Sequence, residues 1–137
     1  PLYYCDDIVV MEAIIGPRLG DLIGLRGVER WAIIEALRAA RALDTLGILH
    51  LELSRPWRNI LYTGISKGSK ALIVDFESTG RGCGNVLSLL GGLAKLPNLQ
   101  RLITSKEARR VERLYKETCA KYVYEEIEGM VIEALEG

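Results

Sequence analysis

Apolar positions along this chain recur with two different periods. "DIVVMEAII" (7–15) is short, apolar and β-branched, which predicts a buried strand, interrupted near its far end by Glu12 and stopped by Gly16-Pro17. "RLGDLIGLRG" (18–27) has room for no more than one helical turn between its glycines. From Val28 the period changes. Val28, Trp31, Ile34, Leu37, Arg41 or Ala42, and Leu46 fall near one helical face, with Glu29, Arg30, Glu35, Arg38 and Asp44 mostly elsewhere. An amphipathic helix over 28–46, ended by Gly47, is the expectation. "NILYTG" (59–64) and "ALIVDF" (71–76), joined by the polar "ISKGSK", predict a β-hairpin.

Past the hairpin, "ESTGRGCGN" (77–85) reads as a mobile or tightly turning loop. "NVLSLLGGLAKL" (85–96) is a short apolar helix with Asn85 as its N-cap, and "PNLQRLI" turns away from it. The last long segment starts at Thr104, whose hydroxyl and Glu107 three residues on form the T-x-x-E capping pattern. Val111, Leu114, Tyr115, Cys119, Tyr122, Ile127 and Val131 recur there at helical spacing, with Gly129 as the expected break. The plan is a leading strand, a helix, a hairpin and further helices: an α+β domain, mostly helical.

Composition narrows the classes this chain can belong to. Its 137 residues suit one domain with a substantial core. Eighteen basic residues balance 18 acidic ones, so no global field draws it to nucleic acid or an anionic membrane. Cys5, Cys83 and Cys119 are odd in number, widely spaced and without a C-x-x-C pair. That argues against a disulfide framework or a zinc site and favours a reducing cytoplasm. No apolar run approaches the ~20 residues of a membrane span, and no signal-peptide pattern opens the chain.

The chemistry concentrates in "HLELSRPWRNIL" (50–61), which holds the only histidine, a Glu, two Arg and an Asn. Asn59 enters one arm of the expected hairpin and Asp75 leaves the other, so connectivity alone places both at one end of the ribbon. A carboxylate and an amide oxygen are hard ligands suited to Mg²⁺, which completes its octahedron with water and phosphate oxygens. Asp75 and Asn59 are therefore the expected metal pair. A carboxylate emerging from the apolar "ALIV" needs a partner.

These segments, in this order, resemble a known fold family. "VVMEAIIG", the helix after it, "HLEL", "NIL", the hairpin and "DFE" look like the C-terminal lobe of a protein-kinase-like fold, closest to the small atypical archaeal kinases related to the RIO family. The resemblance runs from about Asp7 to Asp75 or a little beyond. It implies Mg²⁺ and ATP as cofactors, a protein Ser or Thr hydroxyl as acceptor, and Asn59 and Asp75 as metal ligands. The backbone of Glu12 and Ile14 would form the hinge that receives adenine. Residues 1–16 would be the hinge strand, 28–47 the supporting helix, 50–77 the catalytic loop, hairpin and D-F-E, and 84–137 a helical remainder. His50 would be a structural histidine that bonds the backbone near Asp75.

Departures from the family pattern matter as much. The catalytic Asp of such kinases precedes the Asn by five positions, whereas Glu52 precedes Asn59 by seven and Ser54 stands at the fifth. Glu52 is thus the expected base only if the loop carries an insertion. Arg55 and Arg58 would supply phosphate contacts. Glu77 replaces the last Gly of D-F-G, which implies a more fixed segment. The glycine-rich loop, the strand lysine and its partner Glu would belong to an N-terminal lobe before Asp7, on a missing part of the chain or on a partner, so the isolated piece is expected to bind ATP poorly.

Plainer readings accompany each feature. Trp57 would pack under the loop, and "GRGCG" lacks the G-K-[ST] ending of a phosphate loop. Cys83 has no second histidine to activate it. The 106–116 run "KEARRVERLYK" is a solvated helix face that could also serve as a local basic patch for RNA. Two rivals to the kinase reading stand: a pseudokinase acting as a binding module, and a helical interaction domain without a nucleotide site.

Overall fold

Short hairpins, rather than one leading strand, open the chain. The computed structural model describes residues 3–5, 8–10, 16–24, 27, 28 and 30–136. Tyr3–Cys5 (β1) pairs antiparallel with Ile8–Val10 (β2), Tyr3 opposite Val10. In its described part the expected strand over 7–15 is present as Ile8–Val10, the second arm of a hairpin, while 11–15, including Glu12 and Ile14, lie outside the described residues. One 3-10 turn at Leu19–Leu22 agrees with the limit set by the glycines. Ile23–Gly24 (β3) then pairs with Gly27–Val28 (β4), so Val28 ends a strand instead of starting a helix.

Helix α1 spans Arg30–Leu46 and forms the centre of the domain. Its run of Ala, Leu and Arg favours helix, and Gly47, at φ +71°, ends it in a conformation that suits glycine. The buried stripe runs Ile33, Ile34, Ala36, Leu37, Ala40 and Asp44. Leu46, assigned to that face by its spacing, is 70% exposed because the core stops one turn earlier. Asp44, assigned to the wet face, takes the buried place instead.

After α1 come Ile48–His50 (β5), Ile60–Tyr62 (β6), Ala71–Ile73 (β7) and Thr79–Arg81 (β8). The expected hairpin forms from β6 and β7 in the register Ile60 to Ile73, Leu61 to Leu72, Tyr62 to Ala71. The loop expected over 77–85 is not all loop: β8 pairs antiparallel with β5, His50 opposite Thr79. Tyr62 fastens the hairpin to α1. It is fully buried, its hydroxyl donates to the Ala32 carbonyl at 2.6 Å, and its ring meets Trp31 edge-on at 5.4 Å. Burial, and then the nearby Glu35 charge, pushes its hydroxyl pKa up.

The C-terminal half is helical: Asn85–Leu93 (α2), Arg101–Thr104 (α3), Lys106–Thr118 (α4) and Lys121–Glu136 (α5), with a 3-10 turn at Pro97–Leu99. α1 packs on α2, β7 and α5, so Leu37, Leu89, Leu90, Leu93, Ile127 and Val131 belong to one core. Arg38 ties α1 to α5 through Nε and Nη2, each 2.9 Å from Glu128 Oε1. The domain is α+β and dominated by helix.

Three local expectations are corrected here. α4 begins one residue later than expected, because Ser105 Oγ rather than Thr104 accepts the Ala108 N–H at 3.0 Å. Thr104 instead donates back to the Gln100 carbonyl. The break expected at Gly129 falls ten residues earlier, where Cys119 adopts φ +49° and separates α4 from α5, and α5 runs through Gly129 uninterrupted. Lastly, Cys83 and Cys119 form a disulfide with Cα atoms 6.2 Å apart. Spacing in sequence could not anticipate that the β8–α2 loop and the end of α4 converge to bridging distance. With that bond present, the cysteines no longer argue for a reducing cytoplasm. No helix among the described residues is long and apolar enough to cross a membrane.

Helix α4 carries a titration that bears on stability. Burial raises the Glu112 carboxyl from 4.5 to about 7, against the lowering effect of Arg109. A carboxyl whose folded pKa lies above its unfolded one takes up a proton on folding, so stability falls as pH rises from 4.5 to about 7. Glu112→Gln is therefore expected to stabilise the chain at pH 8 by on the order of 1 kcal/mol, discounted for residual contact with water. Near pH 4 it should change little. Thermal melts at both pH values check this.

Candidate functional site

The loop between β5 and β6 is held from inside. Leu53 is fully buried and Pro56 is buried beside it, anchoring the loop against the core. The Arg55 N–H donates to the Glu52 carbonyl and the Asn59 N–H to the Pro56 carbonyl, giving two successive turns. Asn59, 9% exposed, sends its amide Nδ2 back into both of them, to the carbonyls of Glu52 at 3.1 Å and Arg55 at 3.0 Å. The side chain thus sets the loop's shape. Its Oδ1 has no hydrogen-bond partner among the described residues.

His50 joins this loop to the second arm of the hairpin. The Glu52 N–H donates to His50 Nδ1 at 3.1 Å, which places the ring proton on Nε2, and Nε2 donates to the Val74 carbonyl at 2.8 Å. Fully buried, His50 is a structural tie to the residue before Asp75, as its place in the sequence implied. Phe76 packs edge-on against the ring at 5.1 Å.

At the open end of the hairpin the Val74 N–H donates to the Asn59 carbonyl at 2.8 Å, so Asn59 faces Val74 and Asp75 follows directly. Asp75 has φ +63°, a left-handed conformation that costs a non-glycine residue about 1 kcal/mol or more. It is exposed, and among the described residues its carboxylate has no hydrogen-bond or ion-pair partner. Connectivity placed Asn59 and Asp75 at one end of the ribbon, and the register agrees. Among the described residues no group of three or more His, Cys, Asp or Glu could hold a metal.

Beside the loop opens a cleft of about 540 Å³, lined by Glu52, Arg55, Trp57, Arg58, Asn59 and Lys95. Four of the residues singled out in the sequence, Glu52, Arg55, Arg58 and Asn59, thus share one cavity. Asp75 does not line it and meets the site only through the hairpin end. Trp57 forms part of the wall instead of packing wholly beneath the loop. Glu52 and Arg55 stand 3.9 Å apart with side chains 41% and 75% exposed, a loose pair of little energetic weight. Helix α2 approaches so closely that a Cβ on Gly92 would lie 2.6 Å from the Ser54 carbonyl oxygen and 2.7 Å from Pro56 Cδ. The same helix end delivers Lys95, which no motif in the sequence pointed to.

A buried polar network joins α1, α2 and α4, and the sequence did not reveal it. Asp44 Oδ1 accepts the Asn85 N–H at 2.8 Å, and Oδ2 accepts the Val86 N–H at 3.2 Å and the Tyr115 hydroxyl at 2.6 Å. Asp44 on α1 therefore caps α2 from another element, satisfying amides that begin every helix without partners. Asn85 is not the cap. Its Oδ1 accepts the His50 N–H and its Nδ2 donates to the Ile48 carbonyl, which fixes β5 just before the loop. Arg41 completes the cluster, donating to the Tyr115 hydroxyl and the Cys119 carbonyl, each at 3.0 Å. Burial, then the Asp44 hydrogen bond, raises the Tyr115 hydroxyl pKa. The spacing 33, 37, 40, 44 was the available signal that Asp44 belongs to the buried stripe.

Along α4, Lys106, Arg109, Arg110, Arg113 and Lys116 are exposed together with Glu107 and Glu117. No protein-family model matches the chain, and no curated protein is found to be similar to it.

Proposed function

We propose that this chain is the C-terminal lobe of an atypical protein-kinase-like phosphotransferase that uses Mg²⁺ and ATP. One observation carries the reading: the β6–β7 register sets Asn59 and Asp75 at one end of the hairpin, beside a loop fixed by buried contacts, and neither the Asn59 amide oxygen nor the Asp75 carboxylate has a hydrogen-bond partner among the described residues. Mg²⁺, when bound, would neutralise phosphate charge. Asn59 and Asp75 would hold it. Asn59 also keeps the Glu52 and Arg55 carbonyls in place, and the His50 ring holds the Val74 carbonyl, so both donors start from braced backbone. Arg55 and Arg58 would orient anionic phosphates at the cleft wall, and Glu52 would accept the proton of an acceptor Ser or Thr hydroxyl.

In the full-length protein, Asp75→Ala is expected to weaken Mg²⁺-dependent binding of an ATP analogue by at least about 10- to 100-fold, the scale already seen for residues that only orient a metal's ligands. It should abolish phosphoryl transfer to a protein Ser or Thr. Calorimetric titration with and without Mg²⁺ reads the first effect and radiolabel transfer the second; unchanged metal-dependent affinity would defeat the proposal. A second reading, a pseudokinase serving as a binding module, draws on Glu52 lying seven rather than five positions before Asn59 and on Glu77 in place of the last Gly of D-F-G. Metal-dependent nucleotide binding with no turnover in the unaltered protein would favour it.

A further inference from the structure

The cleft of about 540 Å³ carries one cation more than the two arginines that would orient nucleotide phosphates: Lys95 has no part in that reading. Arg58 and Lys95 come from different parts of the chain, the first from the β5–β6 loop and the second from just past α2. Both are exposed, and among the described residues neither lies within 4.0 Å of a carboxylate oxygen. Arg55 contributes a third cation, its link to Glu52 being long at 3.9 Å. Against these three positive groups the lining offers only the Glu52 carboxylate, so the cavity attracts anions. Trp57 adds an aromatic surface between the charges.

Position selects which anion. The cleft is lined by Asn59 and Glu52 but not by Asp75. Phosphates held by Arg55 and Arg58 would leave Lys95 free on the same cleft, which also carries Glu52, the residue an incoming hydroxyl would meet. We infer that this cleft receives the acceptor segment, and that it selects a Ser or Thr flanked by acidic residues, with Lys95 as the specificity-determining group. This rests on the phosphotransfer reading for the word acceptor, and on the cavity's own charge for the selection of acidic sequence.

The test is fluorescence anisotropy of dye-labelled peptides, a Ser with Asp and Glu neighbours against the same Ser with Ala or Lys neighbours, titrated with the full-length protein without nucleotide or metal. The acidic peptide is expected to bind at least tenfold more tightly than either control. Lys95→Glu should remove most of that preference, Lys95→Gln part of it, and raised salt should weaken it. Circular dichroism confirms that each variant folds. Equal binding of all three peptides, or a preference unaffected by Lys95→Glu, would overturn the inference. So would tighter binding of a single-stranded RNA of matching charge, or loss of Mg²⁺-nucleotide affinity in Lys95→Glu equal to the loss of peptide affinity. Nucleotide bound and acidic peptide refused would sink this inference alone. Acidic peptide bound and nucleotide refused would sink the phosphotransfer reading and leave a peptide-binding cleft.

Discussion

Replacing Asp44 by alanine is expected to remove about 3–5 kcal/mol of stability, a large fraction of what a domain of this size holds. Its carboxylate is 4% exposed and accepts the Asn85 and Val86 N–H groups and the Tyr115 hydroxyl. Alanine leaves all three donors buried and unpaired, and each carries its own desolvation cost of about 1–3 kcal/mol, partly relieved if water enters. The favourable charge at the start of α2 is lost as well. Asp44→Asn keeps the shape and one acceptor oxygen, so roughly half the loss is expected. Urea denaturation of the three proteins provides the measurement. A loss below about 1 kcal/mol for the alanine variant would mean that α2 does not depend on this cap.

Adjacent glycines in α2 should respond to alanine with opposite signs. Alanine is favoured over glycine in a helix by about 1 kcal/mol. At Gly91 an added Cβ meets nothing within 4 Å, so Gly91→Ala is expected to stabilise by up to about that amount. At Gly92 the same Cβ would overlap the Ser54 carbonyl oxygen and the Pro56 ring carbon Cδ, one fixed by the backbone and the other by the ring, so neither can rotate aside. Gly92→Ala should cost a net ~2 kcal/mol or more and push the 50–59 loop off the helix. Thermal melts read the sign. Faster hydrogen exchange at the Asn59 amide in Gly92→Ala, but not in Gly91→Ala, would show that the loop had moved. If both variants gain stability, the close approach is not a constraint.

What could be read from the sequence was what short-range periodicity encodes. The body of α1, the β6–β7 hairpin and the single turn at 19–22 follow from spacing and glycine placement, and the common end of Asn59 and Asp75 follows from connectivity. The misses are contacts between segments distant in the chain. The strand at Thr79–Arg81 forms because β5 offers it an edge, not because Thr, Gly and Arg favour extension. The α4–α5 break sits at Cys119, where the chain must turn for its sulfur to reach Cys83, and not at the glycine that looked weakest. Asn85 carried the right residue type for a cap, but Asp44 reached that helix end first from across the core. Lys95 joins Arg55 and Arg58 only because Gly92 lets α2 lie against the loop.

The Cys83–Cys119 bond bridges positions 36 apart and encloses α2, α3 and α4 in a covalent ring. A protease that severs one peptide link inside that ring opens the backbone without producing two molecules. The cleaved polypeptide keeps its mass apart from one added water, and its halves separate only once a thiol reductant splits the sulfurs.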